Sequence, residues 1–443
     1  MRVIEAKLKG TQEQYRALDE AIRTAQFIRN KCLRYWMDNR GVGRNDLYAY
    51  CKILAQESDF ARKLNSTARQ ASAERAWASI SRFYANCKNK AAKKGYPKFK
   101  KHCRSVEYKL SGWKLSGDGM SIPFTDGNQA GTFALYCNGE ARRLILGSKI
   151  NRVRVVRRAD GYYAQFCLDV ERREPGQYTG NVIGIDLGLK YFYADQNGNT
   201  VACPKFLRRS ERRLKLHQRR LSRRFKKGAK QQSKNYHKQR ERLARVHLQV
   251  QRQRRDWVIK LARCVVASND VVVYEDLQVK SLVKNHHLAK AIHDASWSQF
   301  TQGLDYYGKV WGKVVVAVPP QYTTQDCSRC GYRVAKTLST RTHSCPRCGL
   351  EMDRDQNAAL NILVKGLSLL GIAWQNGTLG HKGTASHSRQ RRGALEGTLG
   401  ESGTSASEGQ PVRDSGTESF RDSGTESFEV SALVEPRTRI PGL

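Results

Sequence analysis

The sequence lacks any apolar run close to the ~18 residues that a membrane-spanning helix needs, so a transmembrane segment is disfavoured. Residues 1–7 contain neither the apolar block nor the small-residue cleavage site of a signal peptide, and we expect a cytoplasmic protein. Acidic residues are also scarce: 40 Asp and Glu stand against 79 Lys and Arg, giving a formal net charge of +39. A chain this basic needs a polyanion to offset its own repulsion, and nucleic acid is the usual one.

The length of 443 residues and the hydrophobic content of 39% allow packed cores in roughly two to four domains. The excess positive charge is confined to residues 1–370, with a net +40, whereas residues 371–443 carry a net −1. From 373 onward the chain is rich in Gly, Ser and Thr, and an octad at 413–420 recurs unchanged at 421–428. Two copies are too few for a solenoid and this composition cannot build a core, so we predict a disordered tail.

Periodicity divides the rest of the chain into three parts. Residues 1–10 predict a short strand, and apolar residues at helical spacing predict helices over 11–94. From 105 to 172, short alternating runs separated by turn residues predict a small antiparallel sheet or barrel. A mixed α/β region begins near 181. Its expected elements are a strand at 182–185, a turn at 195–199, a strand buried on both faces at 271–275, a helix at 297–311, a strand at 313–318 and a helix at 354–368.

Four of the twelve cysteines form two CxxC pairs, Cys327 with Cys330 and Cys345 with Cys348, with fourteen residues between the pairs. Four thiolates at this spacing suit tetrahedral Zn²⁺, and a site filled by four protein ligands is structural rather than catalytic, so we predict a zinc ribbon with one ion. Two disulfides or four idle thiols are the alternative, which a reducing cytosol disfavours. The other eight cysteines stand singly, and we expect them to be buried as small hydrophobes.

Two acidic residues end predicted buried strands. Asp186 follows the strand at 182–185, and Glu275 closes the apolar run at 271–274. Each could be an ordinary cap or surface charge, but a carboxylate at the end of a buried strand is costly unless something positive meets it.

A third acid lies at the start of the last predicted helix. Asp353 is expected to be the N-cap residue with Gln356 at position N3, the arrangement of a capping box. Asp355 then falls on the helix stripe that must pack inward. Together the three acids predict a site for hard divalent cations, for which Mg²⁺ is the natural occupant.

Residues 205–255 carry 21 Lys and Arg but only Glu211 and Glu241, a net charge of +19. Apolar residues recur at every seventh position on either side of Lys226–Ala229, which predicts a helical hairpin with one narrow apolar seam. The two series are Leu207, Leu214 and Leu221, then Tyr236, Leu243, Val250, Trp257 and Cys264. A solvated helix face is the alternative, but such a face normally mixes both signs, so we expect contacts with phosphates. The candidate contacts are Arg212, Arg213, Arg219, Arg220, Arg223 and Arg224.

Three motifs resemble those of the RuvC-type nuclease domain of TnpB, a family of transposon-encoded, RNA-guided nucleases related to the type V CRISPR effectors. They are Gly184–Gly188 (GIDLG), Val273–Leu277 (VYEDL) and Asp353–Asn361 (DRDQNAALN). The cysteine cluster between the second and third motifs, led by Gln321–Asp326 (QYTTQD), is similar to that of the family in spacing and setting. Further matches are Phe27–Asn30, Gly95–Lys100 and Ala295–Phe300. The resemblance covers about residues 1–370 and is specific over 181–368.

The resemblance implies an α/β chain with an RNase-H-like RuvC nuclease domain, a small wedge-like β-barrel domain, a helical recognition lobe and a disordered C-terminal tail. The implied boundaries are 1–10 and 95–178 for the barrel, 11–94 for the recognition lobe, 179–372 for the nuclease domain and 373–443 for the tail. Within the nuclease domain, the basic helical insertion is expected at 205–265 and the zinc ribbon at 321–352.

The resemblance also implies an activity: RNA-guided, Mg²⁺-dependent cleavage of DNA beside a short adjacent motif, by a protein encoded in a transposable element. The catalytic roles fall to Asp186, Glu275 and Asp355, which would hold two Mg²⁺ for in-line hydrolysis of a phosphodiester, Asp186 bridging both ions. The implied partners are a guide RNA from the transposon end and double-stranded target DNA, read by base pairing, with the protein at the nucleoid. Gln70, in the N-terminal helices, is a candidate contact to the adjacent motif.

The sequence leaves two other functions open. The chain could bind DNA under RNA guidance and repress without cutting, which three intact acids argue against. It could instead be a DNA transposase that acts without RNA. A cleavage assay with Mg²⁺ distinguishes a nuclease from the repressor, and a search for co-purifying RNA distinguishes it from the transposase.

Overall fold

The computed structural model describes residues 2–381, except 172, 173, 175, 230, 338, 376 and 377. In this part of the chain, no helix is long and apolar enough to cross a membrane.

The chain begins with a strand followed by four helices, as the sequence patterns predict. Thr11 starts the first helix with a capping box, in which its side chain accepts from the backbone of Gln14 and the Gln14 side chain accepts in return. These elements are β1 (Arg2–Lys9), α1 (Gln12–Asp38), α2 (Arg44–Glu57), α3 (Asp59–Lys63) and α4 (Ser66–Lys88). The helices end at Lys88, and the Lys-rich connector after α4 forms neither helix nor strand.

The predicted antiparallel sheet has six strands in the order β2-β5-β6-β1-β4-β3, so β1 is central although it comes first in the chain. The further strands are β2 (Ser105–Tyr108), β3 (Ser121–Phe124), β4 (Gly131–Tyr136), β5 (Ile150–Arg158) and β6 (Gly161–Leu168). This pairing leaves β2 and β3 as the two edges. The sheet and the helices α1–α4 share one apolar core.

One helix in this region was not expected. The alternating pattern predicts only strands over 105–172, but α5 (Gly139–Leu146) lies between β4 and β5. Its start is fixed by Asn138, whose side chain accepts from the backbone of Ala141 at 2.8 Å. Only Ala141 and Ile145 are buried, one turn apart, which is too short an apolar pattern to distinguish from a strand.

A second, five-stranded sheet forms the mixed α/β region, in the order β11-β10-β7-β8-β9. Its strands are β7 (Val182–Leu187), β8 (Tyr191–Asp195), β9 (Thr200–Ala202), β10 (Val271–Glu275) and β11 (Val314–Val318). The pairs β7–β10 and β10–β11 are parallel, whereas β7–β8 and β8–β9 are antiparallel. All five residues of β10 are buried, which confirms the expectation of a central strand covered on both faces.

Helices connect and cover this sheet. They are α6 (Phe206–Arg224), α7 (Lys234–Ser268), α8 (Val279–Leu282), α9 (His286–Ala295), α10 (Trp297–Trp311) and α11 (Arg354–Leu369). The predicted helices at 297–311 and 354–368 match α10 and α11, while α8 and α9 were not predicted. Between β11 and α11 lies a small antiparallel pair, β12 (Thr342–Ser344) and β13 (Glu351–Asp353).

The start of the predicted tail requires a correction. A further antiparallel pair, β14 (Ile372–Gln375) and β15 (Thr378–His381), follows α11, so regular structure continues beyond 372. The remainder of the predicted tail, with both copies of the octad, lies outside the described residues.

Candidate active site and four-cysteine cluster

The second sheet brings Asp186 and Glu275 together. Strands β7 and β10 are parallel, and their register pairs Ile185 with Tyr274. Asp186 and Glu275 each come one residue later, at the carboxyl ends of neighbouring strands that lie about 4.8 Å apart. Glu275 is 6% exposed and Asp186 is half-buried. The two carboxylates therefore lie side by side at the edge of the sheet where the parallel strands β7 and β10 end.

Helix α11 brings Asp355 to the same edge. It contacts β7 so closely that a β-carbon on Gly184 would lie 2.4 Å from the carbonyl oxygen of Ala359. Asp355 lies one turn before Ala359, about 6 Å along the helix, and Asp186 lies two residues after Gly184, about 6.6 Å along the strand. Asp355 and Asp186 lie near each other, since the negative charge of Asp355 helps to raise the pKa of Asp186.

The start of α11 is capped as predicted. The Asp353 side chain accepts from the backbone nitrogens of Asp355 at 2.8 Å and Gln356 at 3.3 Å. The Gln356 side chain, however, donates to the carbonyl of Gln196 at 3.2 Å, which ties α11 to the turn after β8 rather than to its own cap. Asp353 therefore acts on the helix terminus, and the charge of Asp355 affects Asp186 more strongly than that of Asp353 does.

The three acids repel one another. Burial, followed by the negative charges of Glu275 and Asp355, raises the pKa of Asp186 well above its ordinary value, while Arg354 opposes the shift. Burial also raises the pKa of Glu275, against the opposing effects of the Thr323 hydroxyl and Lys365. Carboxylates in such surroundings favour a bound cation, since a divalent ion offsets both the desolvation and the mutual repulsion.

Asp355 is held by arginine in this structure. Its Oδ1 accepts from Nη2 of Arg354 at 2.9 Å and from Nε at 3.1 Å, and Nη1 of Arg341 lies 3.9 Å from Oδ2. Within the described residues, the three acids do not form a group whose carboxylate oxygens all lie within 4.8 Å of one another. The acids converge on one edge of the sheet, but Asp355 is turned to Arg354. Their all-oxygen donor set nevertheless fits a hard cation such as Mg²⁺.

The four predicted cysteines do form a tight cluster: Cys327, Cys330, Cys345 and Cys348 have Sγ atoms that all lie within 4.8 Å of one another. The Sγ atoms of Cys327 and Cys348 are 3.6 Å apart, as are those of Cys330 and Cys345. Four sulfurs placed tetrahedrally at the usual Zn–S distance of about 2.3 Å would be separated by roughly 3.8 Å, so the cluster fits Zn²⁺.

The two CxxC pairs are built alike. Gly331 follows the first pair and Gly349 the second, at φ values of 71° and 69°, and each donates its backbone N–H to the first cysteine's carbonyl at 2.9 Å. This left-handed conformation favours glycine. Although burial opposes the shift, backbone N–H groups of Cys348 and Arg347 lower the pKa of the Cys345 thiol to about 6, which favours the thiolate form that metals bind.

A polar stripe on α11 was not recognised from the sequence. It consists of Asn357, Asn361 and Lys365, at i, i+4 and i+8, and each side chain donates to a backbone carbonyl of the segment Gln321–Asp326. Within that segment, Thr323 donates its hydroxyl to Oε1 of Glu275. The spacing of polar residues beside the apolar stripe was visible in the sequence, but their partners were not.

The basic hairpin forms as predicted, with two exceptions. Trp257 packs against the core of the second sheet, where it contacts Phe192. Leu214 packs against Leu243 and Val246, and Leu207 and Leu221 border this small core. Cys264, the last member of the second series, is exposed. A straight helix drifts about 20° per heptad from a seven-residue repeat, so after four heptads the series has turned away from the packed face.

Among the eight single cysteines, only Cys32, Cys51 and Cys167 are buried, which corrects the expectation for the other five.

All six predicted phosphate contacts on α6 are exposed to solvent. Two of them also contact α7: Arg213 donates to the Gln249 side chain, and Arg224 donates to Gln239 at 3.4 Å. Arg219 and Arg223 line a groove of about 380 Å³ together with Lys215, Gln218 and Ser222. The hairpin therefore exposes all six arginines to solvent.

Gln70 lies on α4, half-buried, in the part of the molecule built around the first sheet.

Two family profiles match the chain. Residues 165–286 match OrfB_IS605, described as a probable transposase, and residues 297–362 match the Cas12f1-like TNB domain. The second match spans the four cysteines and the start of α11, and the first spans Asp186 and Glu275.

Similar proteins carry related names. A protein of Streptomyces pristinaespiralis named "Putative RNA-guided DNA endonuclease" is 35% identical over 230 residues, covering 52% of this chain and 56% of that protein. InsQ of Escherichia coli K12, with the same description, is 26% identical and covers 50% and 58%. The TnpB-like protein L79 of Acanthamoeba polyphaga mimivirus is 32% identical, covering 28% and 25%. The chain thus spans little more than half the length of the first two relatives.

Among solved structures, a Cas12f1–sgRNA–target DNA complex contains a chain similar to this one, with a TM-score of 0.51 and 16% identity over 80% of this chain and 83% of that one. At this identity the likeness concerns the fold. The chain therefore has a mixed α/β fold similar to that of the Cas12f1 chain, together with a four-cysteine cluster. The matches to OrfB, the TNB domain and the named relatives go further and support the resemblance to the TnpB family.

Proposed function

We propose that this protein is an RNA-guided DNA endonuclease encoded by a transposable element. The observation that carries the proposal is the convergence of Asp186, Glu275 and Asp355 at one edge of the second sheet, in a family whose relatives bear that name. The alternatives are a repressor that does not cut and a transposase that acts without RNA, both with the same fold. The repressor would not need the acids for cleavage, and the transposase would not need RNA.

We assign the catalytic centre to an RNase-H-like RuvC domain over 179–372. The strand order of the second sheet supports this assignment. Counted along the chain from β7 to β11, its strands lie across the sheet in the order third, second, first, fourth, fifth. The first strand is antiparallel to the second and parallel to the fourth. This is the topology of RNase-H-like domains. The zinc ribbon would be the insertion at 321–352, and the basic insertion 205–265. The wedge would comprise 1–10 and 95–178, and the recognition lobe 11–94.

The three acids would hold two Mg²⁺, with Asp186 between Glu275 and Asp355. When bound, such ions activate a water and stabilise the leaving oxygen of a phosphodiester. The chain's own part is to hold the carboxylates in place. The register of β7 and β10 fixes two of them, and the close approach of α11 to Gly184 fixes the third. The carboxylate of Asp355 would exchange its contact with Arg354 for the cation.

The charge distribution supports the proposed partners. The net +40 over residues 1–370 and the exposed arginines of α6 suit a guide RNA and double-stranded target DNA, whose phosphates supply the negative charge. Because base pairing would read the target, the protein needs cationic channels more than base-reading side chains.

The proposal is tested on the full chain, purified with whatever nucleic acid it carries. The RNA is sequenced, a DNA target matching it is supplied, and cleavage is followed with Mg²⁺ and with EDTA. We expect a discrete RNA and Mg²⁺-dependent cleavage that Asp186→Ala abolishes while RNA binding remains. RNA-dependent binding without cleavage would favour the repressor. Strand-transfer products in the absence of RNA would favour the transposase, the function that the OrfB description suggests.

A further inference from the structure

Glu275 is held by a buried hydroxyl. Oγ1 of Thr323 lies 2.5 Å from Oε1 of Glu275, and the two residues are 2% and 6% exposed. The same Oγ1 lies 3.1 Å from the carbonyl oxygen of Pro320. A hydroxyl has one proton to donate, and the shorter contact, to the carboxylate, takes it. This bond leaves the Glu275 carboxyl with one preferred orientation.

Thr323 is in turn held by α11. Nδ2 of Asn361 donates to the backbone carbonyl of Thr323 at 2.8 Å and to that of Asp326 at 2.6 Å. Tyr322, immediately before Thr323, has a φ of 62°, and its carbonyl accepts from the backbone of Gln325 and Asp326. The segment is thus a tight turn, and the Asn361 side chain of α11 donates to two of its carbonyls.

The same helix connects this turn to the cysteine cluster. Asn357 is completely buried; its Nδ2 donates to the Asp326 carbonyl at 2.9 Å, and its Oδ1 accepts from the backbone of Ser328 at 3.0 Å. Ser328 lies between two of the clustered cysteines, and Asp355 lies two residues before Asn357. One helix therefore carries Asp355 and also the side chains that fix the turn holding Glu275.

We propose that Thr323 is a positioning residue for Glu275, and that Asn361 acts through Thr323 to set where the Glu275 carboxyl lies relative to Asp355. The inference rests on the proposed function only in taking these two acids as metal ligands. Groups that hydrogen-bond to ligating carboxylates orient them, and their loss typically costs about 10–100-fold in metal affinity or activity.

The test compares Thr323→Val, which removes the hydroxyl and keeps the branched shape, with Thr323→Ser, which keeps the hydroxyl. Thr324→Val is the matched control, since it makes the same change at the next residue. Fe²⁺, given in place of Mg²⁺ with ascorbate and peroxide, cuts the polypeptide beside the bound ion, so the fragments report metal binding without requiring DNA cleavage. The full chain with its RNA is used throughout, and zinc content is measured for each variant.

We expect parent fragments that end near Glu275 and Asp355, and a half-saturating Fe²⁺ concentration about 10–100-fold higher for Thr323→Val. Thr323→Ser and Thr324→Val should behave as the parent, and each variant should keep its zinc. Thr323→Ala removes the same hydroxyl and takes the place of Thr323→Val if that variant loses zinc. Adding Asn361→Ala to Thr323→Val should weaken binding no further, because residues that act through one another are not additive.

The outcomes separate this inference from the proposed function. A parent protein without fragments near the acids contradicts the metal site of the proposed nuclease. Parent fragments with an unchanged Fe²⁺ requirement in Thr323→Val overturn the role of Thr323 alone. An additive loss in the double variant contradicts the claim that Asn361 acts through Thr323.

Discussion

Gly184 of β7 and Ala359 of α11 approach each other so closely that a β-carbon on the glycine would lie 2.4 Å from the Ala359 carbonyl oxygen. The same β-carbon would lie 2.7 Å from Cβ of Leu363. Both neighbours belong to the helix that carries Asp355, and neither is the far end of a flexible side chain. The position of Asp355 relative to Asp186 therefore depends on the absence of a side chain at residue 184.

Gly184→Ala should displace α11 and with it Asp355. We expect a loss of stability of about 1–3 kcal/mol from overpacking, together with a loss of DNA cleavage larger than that destabilisation explains. Thermal melting and cleavage rates measure the two effects. Gly139→Ala, at the start of α5, is the control, because no heavy atom lies within 4 Å of its added β-carbon. Wild-type cleavage by Gly184→Ala would show that the helix can move without consequence for the acids.

Asp353 and Asp355 should respond differently to the same change. Asp355→Asn removes a proposed ligand and should abolish cleavage. Asp353→Asn should cut at nearly the parental rate, since Asn is as good an N-cap residue as Asp. Asp353→Ala, which loses the cap, should lower stability by about 1 kcal/mol and cleavage only in proportion. Cleavage by Asp355→Asn together with none by Asp353→Asn would reverse the roles assigned to these acids.

The acids could be predicted because each breaks a pattern. Glu275 ends a run that is apolar at every position, and Asp355 interrupts the apolar face of α11. Each acid stands out because a charge at such a position is costly to remove from water. Thr323, the hydrogen-bond partner of Glu275, breaks no pattern. It lies 48 residues from Glu275 in the chain, and a threonine in a polar turn is unremarkable until the fold brings the two together. Long-range hydrogen bonds leave no periodic signal.

Errors in the fold have equally local causes. The helix α5 offers only one turn of apolar residues, Ala141 and Ile145, so periodicity could not reveal it. The misplaced Cys264 comes from extending a seven-residue repeat along a helix with 3.6 residues per turn. The strands β7 and β10 were predicted because buried parallel strands read as continuous apolar runs. The strand β11 carries a similar apolar run, although it lies at the edge of the sheet and only Val318 is buried.

Glu107 should make the stability of the first sheet depend on pH. Burial opposes its ionisation, but Arg75, Arg154 and Arg152 together lower its pKa to about 2. An acid with a lowered pKa in the folded state adds stability above its unfolded pKa, and this stability is lost as the pH falls toward the folded value. Glu107→Gln should therefore cost about 3 kcal/mol at pH 6, and the difference from the parent should shrink between pH 4.5 and 2. Thermal melting across this range measures it.

Glu140→Gln provides the comparison for Glu107. Its carboxylate lies 3.7 Å from Arg2 and is 53% exposed, so the ion pair should contribute at most about 1 kcal/mol. A pH-independent difference between Glu107→Gln and the parent would show that the three arginines do not hold the Glu107 charge.

Zinc should be present at one ion per chain and should depend on Asn357 as well as on the cysteines. Cys345→Ser removes a thiolate and should abolish binding, as elemental analysis would detect. Asn357→Ala removes the bonds to Ser328 and Asp326 but no ligand, so we expect zinc to be retained but released faster to a chelator. Ser339→Ala, at an exposed position of the same insertion, is the control. Full cleavage by zinc-free protein would show that the ribbon does not help to position Asp355.

The arginines of α6 should account for part of the salt dependence of nucleic-acid binding. Arg219 and Arg223 are exposed, lie one turn apart and line the same groove on the hairpin. Each phosphate contact contributes roughly 0.7–0.9 to the slope of log affinity against log salt, so Arg219→Gln with Arg223→Gln should reduce that slope by about 1.4–1.8. The matched control removes the same charge at Arg263 and Lys309, two exposed positions on α7 and α10. A general effect of net charge would flatten the slope equally in both double variants. If the slope of the α6 double variant does not change, these arginines face solvent in the complex.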